Sequence, residues 1–437
     1  MKKKGSVLNH ILHADVRDEK MTSDYDVAII GAGAAGIAAA RELVNAGLTV
    51  IILEASDRVG GRAWTVDLRE MPLDMGCGWL HSAQRNPLVA VGLKCGLTIE
   101  RGESAWQSQW RDLRFSKDEQ SSAKSAWDGF QQRLRHQPSM TDRASDVLKD
   151  GDRWNSYCQA LSGYLNGAQL ERLSVRDFLA YDNAATEDNW RVREGYGRLI
   201  ASCIPETARI RLSTPVRRVS LVSNGVHLET NRGRLSADAA ILTVSTNALA
   251  RGCIAFDPIV DEHLFAAGQL PLGLADKLFL ELCGDHGLEP ETHLLGNPYC
   301  ASTGSYYIRP LGRPIIEGFY GGIGAVRIEK AGVMDAFAFA IDELASLIGN
   351  RIRPHLRPLI ATNWCSMDWI HGSYSHALPR QAHARELLAR PIAGRLFFAG
   401  EATHLDDFST AHGAWESGVR AAGEVLSVRT PREGHCV

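Results

Sequence analysis

Between Val27 and Glu54 the chain runs through an order of elements that few folds accommodate. Val27–Ile30 is an apolar run short enough for a buried parallel strand. Gly31, Gly33 and Gly36 follow as G-x-G-x-x-G and open a helix. Val50–Leu53 reads as a second strand, with Glu54 at its C-terminal end. The first glycine permits a tight turn, the second lets backbone approach a pyrophosphate, and the third lets the helix pack on the sheet. The helix start offers N–H groups and the positive end of its dipole to phosphate oxygens. A carboxylate after the second strand accepts hydrogen bonds from a ribose diol and repels a 2′-phosphate, so an NADP-type ligand is disfavoured. A glycine triplet alone is a weak signal. Here strand, helix, second strand and acid fall in register, which marks a dinucleotide fold.

At 437 residues the chain is too long for one compact core, so two or more substructures are expected. Hydrophobic residues make up 45%, charged residues 23%, and the formal net charge is −3, the composition of a soluble globular protein. That balance offers no basic excess for nucleic acid and speaks against binding to membranes or polyanions. No apolar stretch reaches the length of a membrane span. Nine cysteines are scattered without a C-x-x-C pair, which reads as reduced thiols in a cytoplasmic protein. Met1-Lys-Lys-Lys is followed by no signal-peptide core or twin arginine, Met21 makes an alternative start, and the first 20 residues read as a loosely ordered extension. The polar stretch 428–437 offers no tail anchor.

From Leu93 to Asn189 the sequence turns polar and helical, with Trp106, Trp110, Trp127 and Trp154 spread along it as core or groove residues. Arg193–Ile200 opens a further helix after two glycines. Ile210–Ala237 alternates apolar and polar residues around Ser-Asn-Gly and Asn-Arg-Gly turns, the pattern of an antiparallel meander. Ala239–Val244 suits the parallel sheet, Leu274–Leu282 and Pro314–Tyr320 read as strands of a separate sheet, and Leu396–Phe398 is a strand running into Gly400 and Glu401. The nucleotide-binding layer is thus expected in three pieces with substrate-domain sequence between them.

Five motifs along residues 24–422 carry a family resemblance. They are Gly60-Gly-Arg62-Ala-Trp-Thr65 after Glu54; Asp74-Met-Gly-Cys-Gly-Trp79-Leu-His81 with Asn86-Pro-Leu88; Gly273-Leu-Ala-Asp-Lys277; Trp364-Cys-Ser-Met-Asp-Trp369-Ile-His-Gly-Ser-Tyr374; and Phe398-Ala-Gly-Glu401 with His412-Gly-Ala414 beyond. In this set the chain resembles the flavin-containing amine oxidases of the monoamine and polyamine oxidase type, relatives of L-amino acid oxidases and lysine-specific histone demethylases. The resemblance implies an α/β fold with α+β insertions. A Rossmann-like FAD-binding domain would comprise 24–97, 193–265 and 365–430, and a mixed-sheet and helical substrate domain 98–192 and 266–364, with an extension at 1–23 and a tail at 431–437.

The same resemblance implies FAD rather than NAD, held by Gly31, Gly33, Ala34, Ala35, Gly36, Glu54, Ala55, Gly61, Arg62, Val216, Trp369, Gly400 and Glu401. It places Lys277 near flavin N5 through a bridging water, Trp79 and His81 in the substrate tunnel, Trp364 beside the flavin ring, and Tyr374 and Thr410 around the amine. Taken alone, Lys277 reads as a solvated strand lysine, His81 as a structural histidine and Tyr374 as a core aromatic. His371, His376, His404 and His412 form no recognisable metal set, so no metal is assigned.

Two departures from the monoamine oxidase pattern matter. Ser373 stands where those enzymes carry a flavin-linking cysteine, and Cys365 is eight positions away, so FAD is expected to be non-covalent. Thr410 replaces the second cage tyrosine, which tilts the expectation toward polyamines or bulky secondary amines. Carboxylates would pair with distal ammonium groups, and Glu103, Glu171, Glu187 and Glu194 are the candidates. The implied reaction takes a small-molecule amine to an imine, hydrolysed to aldehyde and amine or ammonia, with oxygen reduced to peroxide. His81 would position the amine or relay its proton, and Lys277 would assist reoxidation. A flavin dehydrogenase using a quinone or cytochrome, an L-amino acid oxidase, and a non-catalytic flavoprotein module stay open, as does a homo-oligomer.

Overall fold

Residues 24–107, 113–137 and 139–429 are described by a computed structural model. The expected extension, the C-terminal tail and Trp110 lie outside them. Strand Tyr25–Ile30 sits at the centre of an eight-stranded sheet, and Val27, Ala28, Ile29 and Ile30 are all buried. A strand covered on both faces needs an apolar side chain at every position, which is why this run does not alternate. It pairs in parallel with Val50–Leu53 on one side and with Gly233–Leu242 on the other.

Val216–Val222 and Gly225–Thr230 form the expected antiparallel meander, but its last strand and the separate parallel strand are one long strand, Gly233–Leu242. Its first half pairs antiparallel with Gly225–Thr230, and its second half runs parallel to both Tyr25–Ile30 and Leu396–Phe398. Arg209–Arg211, read as part of the meander, instead closes the parallel edge beside Val50–Leu53. Ser236 and Asp238 lie inside Gly233–Leu242, which is paired on both sides.

The two faces of this sheet bury different residues, as the period of two requires. Val27, Ile29, Val50, Ile52, Ile241 and Phe397 pack under helices Ala34–Asn45 and Ala411–Arg429. Ala28, Ile30, Ile51, Leu53, Ala240 and Leu242 face the other core.

A second, wholly antiparallel sheet holds Ala275–Leu282 between Ile315–Gly321 and Leu356–Ala361. Thr292–Leu295 and Ser305–Ile308 extend it; at four residues each they are too short to show alternation, and sequence reasoning missed them. One face packs on helix Val333–Ile348 through Leu278, Leu280, Ile316, Phe337 and Leu344. The other face looks into the cavity described below. The polar region supplies helices Lys117–His136, Asn155–Asn166 and Val175–Ala184, the first opened by a capping box of Ser116 and Glu119. Among the described residues, no helix is long and apolar enough to cross a membrane.

Candidate active site

Gly31 adopts φ +111°, and a Cβ there would lie 2.5 Å from Thr243 Oγ1. At Gly36 a Cβ would meet the Gly31 carbonyl at 2.0 Å, so this position serves close packing of helix on strand. Between them, Gly33 is the N-cap of helix Ala34–Asn45 and offers no side-chain cap. The first-turn N–H groups therefore open, with Gly33, Ala34 and Ala35, into a cavity of about 1340 Å³. Glu54 accepts from Ala32 N at 2.7 Å and Ser56 N at 2.8 Å, which fixes its carboxylate at the cavity wall. An uncapped helix start and a fixed acid one strand away fit a pyrophosphate and a ribose diol.

Further along the cavity, Arg62 pairs with Glu401 at 2.7 Å and donates to the Ser373 carbonyl at 2.8 Å. Burial alone would push the Glu401 carboxyl up; Arg62, the Ser375 hydroxyl and Arg385 together hold it below its ordinary value. Ser373 Oγ accepts from Ala275 N and donates to Ala275 O, both at 2.8 Å. Its hydroxyl is thus occupied in tying the loop before Tyr374 to the strand Ala275–Leu282. Ala55, Gly61, Val216, Trp369 and Gly400 also border the cavity, and Arg217 lies 4.5 Å from the centre of the Trp369 ring. Of the residues expected to hold FAD, Gly36 alone does not border it, in keeping with its packing role.

The same space continues to the antiparallel sheet. Lys277 is buried, with Nζ donating to the Asp74 carbonyl at 2.9 Å and pairing with Glu317 at 2.8 Å. Burial pushes the Asp74 carboxyl up to about 6, even though Lys277 opposes the shift. Glu317 was missed in the sequence: Phe279 is its partner across the ladder, so it lies diagonally beside Lys277 on one face. Without the register no sequence signal singles it out. Asp128 and Asp182 also line the cavity and were missed. Of the four acids anticipated, Glu187 borders it. Glu194 accepts from Thr98 N and Glu171 from Gln159, while Glu103 is exposed away from it.

Trp364 and Tyr374 form part of the wall. Trp364 N donates to Asp276 at 3.1 Å, and its ring meets Trp64 edge-on at 6.2 Å. Tyr374 OH donates to the Tyr164 carbonyl at 2.6 Å, and burial raises its phenol far above the ordinary value. Thr410 reaches the cavity, but its hydroxyl accepts from Gly413 N at 3.0 Å and donates to Asp407 O at 2.6 Å. That makes it the N-cap of the last helix. Trp79 contacts Trp106 with ring centres 4.4 Å apart, and Arg191 lies over the Trp79 ring at 4.8 Å. His81 Nδ1 is 2.6 Å from Asn189 Oδ1, and desolvation pushes the imidazole down to about 4, so it is neutral at ordinary pH.

Behind Lys277 lies an acid pair that the sequence reading did not anticipate. Asp276, fully buried, accepts from Thr362 Oγ1 at 2.7 Å as well as from Trp364 N. Glu329 accepts from Cys365 N at 2.9 Å, and burial together with neighbouring Asp276 pushes its carboxyl up to about 8. The pair therefore shares a proton at neutral pH and clasps the segment carrying Trp364. Elsewhere His404, Asp407 and Glu416 converge within 4.8 Å, but the Arg85 guanidinium already grips both Asp407 oxygens, at 2.6 and 2.5 Å.

Comparison with known proteins bears on the chemistry. The family described as flavin containing amine oxidoreductase matches residues 34–132 and 104–426. Polyamine oxidase 2 of Arabidopsis thaliana is 29% identical over 439 residues, covering 92% of this chain and 88% of its own. Lysine-specific histone demethylase 2 of Homo sapiens is 25% identical over 98% of this chain, which spans 57% of that protein. A solved putrescine oxidase with putrescine bound matches with a TM-score of 0.72 at 20% identity, over 92% of this chain and 99% of that one. The chain belongs to the flavin-containing amine oxidoreductases, and its cofactor is FAD.

Proposed function

We propose that the protein is an amine oxidase that passes electrons to oxygen and accepts polyamines or bulky secondary amines. The carrying observation is the single continuous cavity. It joins the uncapped helix start and Glu54 to buried Lys277, and extends past Trp79, Trp106 and Tyr307 to the acids Glu317, Asp128, Asp182 and Glu187. These acids suit the distal ammonium groups of a polyamine. The absence of an aromatic at Thr410 leaves the space beside Tyr374 open to a wide substrate. The names of relatives such as polyamine oxidase 2 point the same way.

Bound FAD supplies the two-electron acceptor for the amine's C–H bond, while the chain orients the amine and excludes competing reactions. Gly33, Ala34, Ala35, Glu54, Arg62 and Glu401 would hold it, without a covalent bond because Ser373 offers no thiol. Neutral His81 accepts a hydrogen bond from the incoming amine and so positions it. An alkyl ammonium with pKa about 10.4 is neutral in fewer than about 1 in 10³ copies at pH 7, so loss of that proton is needed before reaction. Lys277 spends two of its three N–H donors on Asp74 O and Glu317, and the third holds the water involved in reoxidation.

The test is anaerobic bleaching of the flavin absorbance by spermine, spermidine, acetylated polyamines, putrescine, aromatic monoamines and L-amino acids, followed by readmission of oxygen. Rapid bleaching by a polyamine, with one peroxide per turnover, is expected. Bleaching by L-amino acids alone would overturn the substrate reading. Slow reoxidation by oxygen beside fast reoxidation by a quinone would overturn the choice of acceptor.

A further inference from the structure

Arg385 is a large side chain buried far from water, at 1% exposure. It does not border the cavity, and neither does its partner Asp177. Its guanidinium grips both Asp177 oxygens, Nε to Oδ1 at 2.6 Å and Nη2 to Oδ2 at 2.8 Å. Nη1 donates to Ser375 Oγ at 2.9 Å, and the guanidinium carbon lies 3.6 Å from the centre of the Phe408 ring. Asp177 belongs to helix Val175–Ala184 of the helical layer and also accepts from Ala377 N at 2.9 Å.

The chain of contacts continues to the cavity. An arginine can only donate, so Ser375 Oγ must accept from it and must aim its single proton elsewhere. That proton goes to Glu401 Oε2 at 2.6 Å, which Ser409 N also reaches at 2.9 Å. Glu401 Oε1 is thereby left for Arg62 at 2.7 Å. Four charges of alternating sign run in sequence from Asp177 through Arg385 and Glu401 to Arg62, with one hydroxyl whose direction is dictated from behind. A buried ion pair seldom stabilises more than apolar residues of the same volume, so packing alone gives no reason for this set. Orientation does: the planar fork of Arg385 admits one arrangement of Asp177 and Ser375.

We propose that Arg385 is a positioning residue that ties the helical layer to the Glu401–Arg62 clamp and thereby sets how tightly FAD is held. This rests on FAD lying against Arg62 and Glu401, as inferred above. The cation over Phe408 extends the same control to the wall formed by Phe408, Ser409 and Thr410, which borders the cavity.

The experiment measures the rate of FAD release from the holoenzyme, by the rise in flavin fluorescence, together with the flavin absorption bands and midpoint potential. Ser375→Ala keeps the Arg385–Asp177 pair and removes only the relay. It is expected to release FAD at least about tenfold faster, with shifted bands. Arg385→Met should do the same, and the double variant should be no worse than either, because both act through Glu401. If Arg385→Met does not fold, Ser375→Ala decides. Release at the parental rate with unchanged bands and potential in Ser375→Ala, beside fast release in Glu401→Gln, would overturn the proposal. Parental release in Glu401→Gln as well would instead overturn the placement of FAD on which the proposal depends.

Discussion

Lys277→Met removes the partner of Glu317 and the cation that favours ionisation of Asp74. Breaking a buried ion pair from one side costs about 3–5 kcal/mol, because the remaining charge is left uncompensated. Unfolding entropy of about 2.1 cal/mol/K per residue gives about 0.9 kcal/mol/K for a chain of this length, so the expected fall in Tm is about 3–5 °C. That figure holds at about pH 8. Asp74 has a folded pKa of about 6 against an ordinary 3.8, so its neutral form is the one the fold favours. Its contribution is complete below its ordinary value and is lost as pH rises through about 6. At about pH 5.5 Asp74, no longer held down by the lysine, takes up a proton, and the deficit of the variant should shrink. Thermal unfolding of the holoenzyme at both pH values measures the difference. The double variant Lys277→Met/Glu317→Gln, which leaves no unpaired charge at that position, should regain most of the loss at the higher pH. A deficit independent of pH, or no recovery in the double variant, would refute the reasoning.

The glycine cradle separates two effects: Gly36→Ala forces a Cβ to 2.0 Å from Gly31 O and should lower stability by about 1–3 kcal/mol. Gly33→Ala meets protein only at 4.0 Å and at φ −80°, so its apoprotein should melt with the parent while FAD binds far more weakly, as read by flavin fluorescence. The raised Glu329 carboxyl means that parental stability is complete below its ordinary 4.5 and falls as pH rises through about 8. Glu329→Gln should flatten that alkaline decline in Tm, and a decline of parental steepness would remove the shared proton from the account. His81, neutral above about pH 4, should give no limb near 6.5 in the pH profile of kcat/KM, whose rise should follow substrate deprotonation on the alkaline side. An acidic limb near 6.5 that vanishes in His81→Asn would show a protonated imidazole instead.

The cradle was legible because its physics is local. A tight turn, a close helix approach and an acid at a strand end all lie between Gly31 and Glu54. Lys277, Trp364 and Tyr374 were reached through resemblance, since nothing in a strand lysine or a loop tryptophan announces a cavity. Glu317 and the Asp276–Glu329 pair were hidden because their meaning depends on strand register and on a helix folding back across the sheet. The split drawn before Ala239 failed for a related reason. Alternation stops at Ala239 because the strand passes there from antiparallel pairing with Gly225–Thr230 into the fully buried part of the sheet, not because it ends. Thr410 shows the converse case: the residue type was read for its size beside the amine, while its hydroxyl serves a helix start.

The three-piece construction of the parallel sheet also governs when the molecule can first hold its cofactor. Tyr25–Ile30 has both its ladder partners by Leu242, yet Leu396–Phe398, which pairs with the far side of Gly233–Leu242, follows more than 350 residues after Ile30. Glu401, the counter-charge of Arg62, comes later still, and the final helix packs Gly418 against Ala35 so closely that a Cβ would sit 2.1 Å from its carbonyl. Such distant pairings form slowly. The glycine cradle at Gly31–Gly36 therefore gains its full support only once residues as far along as Gly418 have folded onto it.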